Sequence, residues 1–382
     1  MKVAFLLLHD FRFAGWSLRD YLSRYHFSKE YARLLSERGI KVSLITMHDE
    51  AASVKKIPLN GYECIVLPDT VHFPPILGFG NSHYPLAHKI IESVNPDIIH
   101  FNNYYLWSFP YLSIWAKAKG IRLVCQYHGA CDFLLPLRPL FRPSYRSADR
   151  YLVPLKSEAA YLANKMKVDP SKIALFPNVG VDVSLFRPVS EKADEPTIIY
   201  AGRMPIPSKS LGEQSPWLLL EIMRHLTPLI PSVRLIMAGD GPGLAHLKEF
   251  AERNRLENVS FTGYVPNSEL PPLYSSSWLT FTPFCAEAID AVWGGASKES
   301  LSCSTPVVAF SGSRGMSAER LNGYGYLLPQ DPMSAAKSLA RILGDKGSLV
   351  RLGKIGREAV MKTSSWPRVI TELIRIYDAL SA

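Results

Sequence analysis

The sequence contains few cysteines, and none of them fall in a metal-binding or disulfide pattern. Five cysteines are scattered over 382 residues, and no CxxC pair occurs. This odd, dispersed set argues against a disulfide framework or a zinc site and predicts small core residues in a reducing compartment. The sequence also lacks an Asp-x-Asp triplet. We therefore predict no carboxylate pair for a divalent metal.

Long apolar runs are missing as well. No stretch reaches the roughly 18 apolar residues that a membrane-spanning helix needs. The first residues, MKVAFLLLHDFRF, place a single lysine before a short apolar run and show no small-residue cleavage pattern. A signal peptide is therefore not expected. These absences predict a cytoplasmic protein.

The net charge of +9 is distributed unevenly along the chain. Residues 1–185 hold 22 lysines and arginines against 15 aspartates and glutamates. A basic first half is compatible with an acidic acceptor or with peripheral contact at an anionic membrane surface. A mildly basic, solvated surface is the simpler alternative. The sequence has no basic base-reading helix and no zinc-finger spacing, so nucleic acid is not expected as a partner.

Two series of apolar strands alternate with helical patterns along the chain. The first series includes KVAFLLLH, KVSLIT, DIIHF and RLVCQYHG, and the second includes TIIYAGR, VRLIMAG, VSFTG, LTFTPF and PVVAF. Continuous apolar strands separated by helices predict parallel sheets covered on both faces. A charged, proline-containing segment at 179–197 separates the two series. We predict two doubly wound, Rossmann-like α/β domains, 1–185 and 186–365, facing across a cleft.

The stretch 283–310 has the pattern strand, glycine turn, short helix, strand. Gly294 and Gly295 permit close backbone approach, and Ser297, Lys298, Glu299 and Ser300 open a helix. A helix that begins at glycines presents unpaired N–H groups to an anion, here around Gly295, Ala296 and Ser297. Glu299, one turn further on, is suited to accept hydrogen bonds from hydroxyl groups. A phosphate site beside a diol site indicates a nucleotide. The alternative is an ordinary βαβ unit with a solvated glutamate.

Cations and histidines lie at the predicted carboxyl ends of other strands. Arg203 ends the YAGR strand, and Lys209 follows in the same loop, although a lone surface lysine is usually only solvated. His128 ends RLVCQYH, His9 ends KVAFLLLH, and His100 lies near the end of DIIHF, one residue before Phe101. Histidines at strand ends either face a ligand or act as structural hydrogen-bonding groups, and the sequence leaves both alternatives open.

The segment KESLSCSTPVVAF resembles the end of the donor motif E-x7-E of family-4 retaining glycosyltransferases, also described as glycosyl transferases group 1. Glu299 and Thr305 fall where that motif has glutamate and threonine. The motif's first glutamate has no aligned counterpart, and Glu287 or Asp290 is the substitute that we predict. FPNVGVDVSLF resembles the family's interdomain segment, and residues 366–382 resemble its last helix, which packs back toward the first domain. The resemblance covers nearly the whole chain.

The resemblance implies a GT-B fold and transfer of a sugar from a nucleoside-diphosphate sugar to an acceptor hydroxyl of a glycan, a lipid-linked molecule or a small molecule. It implies no metal and no further cofactor. The implied catalytic residues are His128, which orients the sugar, Arg203 and Lys209, which hold the diphosphate, and Glu287 or Asp290, which reach sugar hydroxyls. The implied donor-binding residues are Gly202, Gly239, Gly241, Tyr264, Val265, Gly294, Gly295, Ala296, Ser297 and Glu299. The implied acceptor-side residues are His9, Gly15 and His100.

Two other functions are compatible with the same architecture. One is a non-catalytic protein that binds a nucleotide sugar, which the displaced first glutamate favours. The other is a sugar phosphorylase or a nucleotide-sugar epimerase built on the same frame.

Overall fold

The computed structural model describes residues 1–8, 15–72, 82–128, 138–177, 179–206, 215–282, 295–310 and 324–381. The chain folds into two compact units. The first comprises Met1–Asn178 together with Val369–Ala382, and the second comprises Val179–Arg368.

The first unit is built on an eight-stranded sheet. Its strands, with those of a small separate hairpin, are β1 (Lys2–Leu7), β2 (Lys41–His48), β3 (Lys55–Leu59), β4 (Tyr62–Pro68), β5 (Val71–His72), β6 (Ser82–His83), β7 (Ile98–Asn102), β8 (Arg122–Gln126), β9 (Arg150–Val153) and β10 (Ile173–Leu175). The sheet order is β10-β9-β8-β7-β1-β2-β4-β3, with only β3 antiparallel to its neighbour, and β5 pairs with β6. The order reverses between β1 and β7, and ligands of such sheets bind at the carboxyl ends beside that point.

Six helices precede the C-terminal one in the described part of the first unit. They are α1 (Leu18–Ser23), α2 (Phe27–Glu37), α3 (Ala87–Val94), α4 (Phe109–Ala118), α5 (Arg142–Ser147) and α6 (Lys156–Asn164). Helix α1 begins at a capping box, because the Ser17 hydroxyl accepts from the Asp20 N–H (3.0 Å) and the Asp20 carboxylate accepts from the Ser17 N–H (3.1 Å). Helix α2 buries Tyr31 and Leu35, which lie four residues apart on one face.

The second unit contains a six-stranded parallel sheet. Its strands are β11 (Thr197–Ala201), β12 (Arg234–Ala238), β13 (Val259–Gly263), β14 (Leu279–Phe281), β15 (Val307–Phe310) and β16 (Gly325–Leu328). The order is β13-β12-β11-β14-β15-β16, so it reverses between β11 and β14. Ile198 and Tyr200 of β11 belong to one apolar cluster, and Ile199 and Ala201 belong to another. Alternate residues of a strand point to opposite faces, so both faces of this sheet are covered.

Six helices in the described part of the second unit supply side chains to those two clusters. They are α7 (Ser215–Leu226), α8 (Leu244–Arg253), α9 (Leu270–Ser276), α10 (Gly295–Ser302), α11 (Pro332–Gly344) and α12 (Lys346–Thr363). The last helix is α13 (Trp366–Ser381), most of which belongs to the first unit. Short 3-10 turns occur at Arg138–Phe141, Pro170–Lys172 and Asn267–Glu269. Among the helices in the described ranges, none has both the length and the apolar character needed to cross a membrane.

The second unit begins earlier than the predicted boundary at 185/186. Val181 and Phe186 are buried in one of its apolar clusters, and the Val181 N–H donates to the carbonyl of Ser364 (2.9 Å). The sequence pattern suggested a charged linker, but these two apolar side chains anchor it to the second unit. Helix α13 also crosses the division, since its residues from Val369 onward belong to the first unit.

Candidate functional site

The candidate site of the second unit lies at the carboxyl ends of β11, β12 and β13. The loops that follow these strands are hydrogen-bonded to one another. The Gly202 N–H donates to the Ala238 carbonyl (3.0 Å), and the Gly239 N–H donates to the Gly263 carbonyl (2.8 Å). The loops therefore form one continuous backbone surface beside the point where the strand order reverses.

Two of the predicted donor-binding glycines are required by this close packing. Gly239 and Gly241 have φ angles of +147° and +148°. A Cβ atom at Gly239 would lie 3.0 Å from the carbonyl carbon of Gly202 and would overlap its oxygen, and one at Gly241 would lie 2.5 Å from the Met204 oxygen. Any larger residue would push the loops apart, so glycine here sets the distance between them.

Arg203 lies in the first of these loops, directly after Gly202. Its backbone is held from two sides. The buried Tyr200 hydroxyl donates to the Arg203 carbonyl, and the N–H of the next residue, Met204, donates to the Asp240 carbonyl (2.9 Å). Burial raises the pKa of Tyr200, so its hydroxyl remains a neutral donor. The loop is thus fixed while the residue itself is exposed.

Tyr264 and Val265, the predicted base contacts, follow β13. Val265 packs against the apolar cluster that contains Tyr274, and Tyr264 is exposed. This arrangement leaves an aromatic ring at the surface on a backbone anchored by its neighbour.

Glu299 lies in the second turn of α10 and is nearly completely buried. The Tyr274 hydroxyl donates to its Oε2 atom (3.1 Å), and a Cβ atom at Gly295 would lie 3.4 Å from its Oε1 atom. Burial raises the pKa of Glu299 to about 7, partly offset by the hydrogen bond from Tyr274. The carboxyl group therefore changes charge near neutral pH, close to the N-terminal turn of its own helix.

Lys298, beside Glu299, is fully buried, and its Nζ atom donates to the carbonyl of Val179. This bond ties α10 to the first residue of the second unit. The sequence pattern indicates no role for Lys298 beyond opening the helix.

In the first unit, His128 follows β8 and is half-buried. Its Nε2 atom lies 2.7 Å from Oδ1 of Asn102, the last residue of β7. The ring of Phe27 stacks on the imidazole, with centroids 4.5 Å apart and planes at 25°. Two contacts therefore fix the position and the plane of this ring.

His100 is fully buried, unlike a residue that contacts an acceptor. Its Nδ1 atom lies 2.6 Å from the Tyr377 hydroxyl, and its Nε2 atom lies 2.9 Å from Oε1 of Gln126. Burial lowers the pKa of His100 to about 3, with the hydrogen bond to Gln126 opposing this shift. This geometry supports the structural alternative for His100 over the acceptor-side role.

Several predicted residues lie outside the described residues or apart from this geometry. His9, Lys209, Glu287, Asp290 and Gly294 are outside the described residues. Gly15 is an exposed turn residue with φ of +64°. Within the ranges that the structure describes, no group of three or more histidine, cysteine, aspartate or glutamate side chains is arranged to hold a metal ion.

Three residues of this geometry were not predicted from the sequence: Asn102 and Phe27 beside His128, and Tyr274 beside Glu299. For Asn102 the sequence holds a signal, since it is a polar residue that directly follows the predicted strand DIIHF. Tyr274 had none, because it lies on a different helix and 25 residues from its partner.

Known proteins resemble this chain in sequence and in fold. Residues 27–185 match the model of Glycosyltransferase Family 4, and residues 184–359 match that of Glycosyl transferases group 1. D-inositol 3-phosphate glycosyltransferase of Salinispora tropica is 26% identical over 250 residues, covering 60% of this chain and 51% of that protein. A phosphatidylinositol N-acetylglucosaminyltransferase subunit of Arabidopsis thaliana is 22% identical over 205 residues, covering 52% and 43%. The chain thus spans about half the length of these curated relatives.

Solved structures resemble the chain over its whole length. Sucrose-phosphate synthase from Thermosynechococcus elongatus has a TM-score of 0.71 at 20% identity, covering 99% of this chain and 98% of that one. Anabaena HepE in complex with UDP has a TM-score of 0.70 at 14% identity, covering 99% and 100%. These likenesses, with the two parallel α/β sheets, confirm the predicted fold class, that of GT-B glycosyltransferases. Both family models match in tandem from residue 27 to residue 359, so the chain is a glycosyltransferase with a Glycosyltransferase Family 4 domain followed by a Glycosyl transferases group 1 domain.

Proposed function

We propose that the protein is a retaining glycosyltransferase that moves a sugar from a nucleoside-diphosphate sugar to an acceptor hydroxyl. The observation that carries this proposal is the fixed loop edge of the second unit, where Arg203 follows the central strand β11 at the reversal of strand order. The solved HepE complexes, with UDP and with UDP-glucose, support a nucleotide sugar as the donor.

The diphosphate is assigned to cationic and N–H groups of the second unit. Arg203 presents a planar, permanently charged guanidinium from a fixed loop, which suits phosphate oxygens. Helix α10 contributes the N–H groups of Gly295, Ala296 and Ser297, which in the first turn of a helix have no intrahelical partner and favour an anion. Lys209 is the second cation in this proposal. Together these groups would stabilise the charge of the departing diphosphate without a resident metal.

The nucleoside is assigned to Glu299 and to the loop after β13. A buried carboxylate beside the helix start accepts hydrogen bonds from the ribose diol, and the backbone near Tyr264 and Val265 contacts the base. Gly202, Gly239 and Gly241 keep the loops close enough together to form a continuous surface for the ligand.

The proposed reaction breaks the bond between the sugar's anomeric carbon and the phosphate oxygen and forms a bond from that carbon to the acceptor oxygen. Both events take place on one face of the sugar, which retains its configuration. A departing phosphate oxygen takes the acceptor proton. His128 orients the transferred sugar, and Glu287 or Asp290 bonds its hydroxyls.

The charge of Glu299 predicts a pH dependence of nucleotide binding. Since the pKa of this carboxyl is about 7 and its ionised form is the better acceptor, binding favours the deprotonated state. When the pH is lowered from 8 to 6, we expect the Kd of the wild-type protein for its nucleoside diphosphate to rise. This rise should be about tenfold larger than the rise in the Kd of the Glu299→Gln variant. Isothermal titration calorimetry measures the Kd of both proteins. The Gln variant serves as the reference, because the titration of the phosphate itself affects both proteins equally. Parallel pH profiles for the two proteins would contradict the assignment.

The proposed function is tested first by identifying the donor. In a thermal-shift screen against UDP, GDP, ADP and dTDP and their sugars, we expect the nucleotides of one base to raise the melting temperature, and the corresponding nucleotide sugar to raise it further.

NMR of the transfer product should then show the same anomeric configuration as the donor. His128→Ala should lower the rate of transfer about tenfold with little change in nucleotide affinity. Donor binding without transfer or hydrolysis would favour a binding protein, and a requirement for inorganic phosphate would favour a phosphorylase.

The acceptors to be tested in this experiment are chosen from the names of the relatives. Inositol 3-phosphate and phosphatidylinositol are the first acceptors to offer, beside simple glycans.

Phosphatidylinositol in vesicles also tests peripheral membrane contact through the basic first half, where Leu140 and Arg146 are exposed. Co-sedimentation with anionic but not neutral vesicles is the expected result, and no co-sedimentation with either would remove the membrane from the proposal.

A further inference from the structure

A row of polar side chains crosses from β7 to β8 in the first unit. His100 and Asn102 lie two residues apart on β7, and Gln126 and His128 lie two residues apart at the end of β8. The parallel register pairs His100 with Val124 and Asn102 with Gln126. Each polar residue of β7 therefore bonds the residue two positions beyond its register partner, His100 to Gln126 and Asn102 to His128. The second of these pairs lies at the carboxyl edge of the sheet, beside the reversal of strand order.

The bonds of Asn102 define which of its amide atoms faces His128. Asn102 is fully buried, and its Nδ2 atom donates to the Leu6 carbonyl (2.9 Å), an oxygen that can only accept. The other amide atom, turned toward the histidine at 2.7 Å, is therefore the oxygen Oδ1. An amide oxygen is only an acceptor, so the imidazole must supply the proton from Nε2.

The stacked ring of Phe27 restricts the remaining freedom of His128. Phe27 is the first residue of α2, and its near-parallel ring prevents the imidazole from turning out of its plane. With Nε2 committed as the donor, the neutral ring has Nδ1 as its acceptor atom.

We propose that Asn102 is a positioning residue that holds His128 as the Nε2–H tautomer, so that the ring accepts a hydrogen bond at Nδ1 from a hydroxyl group of the transferred sugar. This inference rests on the proposed function. It adds the direction of the bond and restricts the recognised partner to a hydrogen-bond donor. A sugar with fluorine or hydrogen in place of that hydroxyl would lose the interaction.

The tautomer is tested without any measurement of activity. In 15N-histidine-labelled protein at pH 7.5, two-bond 1H–15N correlations should show His128 protonated at Nε2, with the signal assigned by its loss in His128→Ala. Asn102→Leu, of similar size but without the acceptor, should give mixed tautomers. A wild-type His128 protonated at Nδ1, or an unchanged tautomer in Asn102→Leu, would overturn the proposal.

Kinetics separate positioning from a merely structural role. Asn102→Leu should lower kcat about tenfold and leave the KM for the donor within about twofold. Asn102→Asp keeps an acceptor oxygen in place, so it should retain the Nε2–H tautomer, recover most of kcat at pH 8 and raise the pKa of His128 by adding a negative charge. Asn258→Leu is the matched control, because Asn258 also donates to a backbone carbonyl, that of Val233 just before β12 (2.8 Å), and it should leave kcat unchanged. If Asn102→Leu does not fold, the wild-type NMR spectrum and Asn102→Asp still decide the question.

The two proposals fail in distinguishable ways. If His128→Ala transfers sugar at the wild-type rate, the assignment of His128 to the sugar is wrong, whatever its tautomer. If His128→Ala is impaired while Asn102→Leu and Asn102→Asp both match wild type in kcat and in tautomer, the role of Asn102 is wrong and the function stands.

Discussion

Arg203→Ala should lower kcat/KM for sugar transfer by about 10²–10³, the largest effect on activity that we expect from a single substitution. Removing one fixed group that stabilises developing charge costs about 2.7–4 kcal/mol in the transition state. The backbone of Arg203 is fixed, because the Tyr200 hydroxyl bonds its carbonyl and the Met204 N–H bonds the neighbouring loop. The side chain therefore starts from a defined position on the loop edge.

The measurement compares steady-state transfer with calorimetric affinity for the free nucleoside diphosphate. We expect kcat to fall more than affinity, because the diphosphate gains charge as the sugar leaves. Arg203→Lys should recover part of the rate, since an ammonium keeps the charge but not the planar fork. Arg234→Ala is the matched control: Arg234 is exposed, starts β12 at the opposite edge of the same sheet and pairs with Glu195. A wild-type rate for Arg203→Ala would remove this residue from the mechanism.

The sequence was sufficient to predict most of the parallel strands and the edge of the sheet at which they end, although β4 and β16 were not predicted. The five residues of β11, TIIYA, are all buried, and such continuous apolar runs are typical of central parallel strands. The family resemblance implied Gly202, Gly239 and Gly241 as donor-binding residues, and the loops that carry them are hydrogen-bonded to one another in the structure. The role of each glycine toward a donor stays a prediction.

The details that could not be predicted depend on register and on strand length. The predicted strand DIIHF ends at Phe101, but β7 continues to Asn102, so His100 lies inside the sheet and Asn102 at its edge. The bond between Asn102 and His128 depends on how β7 and β8 are paired, which no local pattern specifies. Similarly, the raised pKa of Glu299 follows from burial against Tyr274, a neighbour brought in by the tertiary fold.

Gly239→Ala should produce the largest loss of stability, more than about 3 kcal/mol. Two costs add at this position. A backbone φ of +147° is strained for any residue with a Cβ atom, by about 1–3 kcal/mol. The new methyl group would also overlap the backbone of Gly202, and displacing a packed backbone typically costs another 1–3 kcal/mol.

Denaturant unfolding should locate this loss in the transition of the second unit, because Gly239 and Gly202 both belong to it. A two-unit chain need not unfold in one step, so each transition is followed separately. Gly344→Ala is the control, since Gly344 ends α11 and a Cβ atom there meets nothing within 4 Å; its stability should change by less than about 1 kcal/mol. In protein that remains folded, Gly239→Ala should also reduce transfer, because the loop that carries Arg203 is the one displaced. Full activity together with lost stability would mean that the spacing of these loops supports the fold alone, and the assignment of this edge to the diphosphate would lose its structural basis.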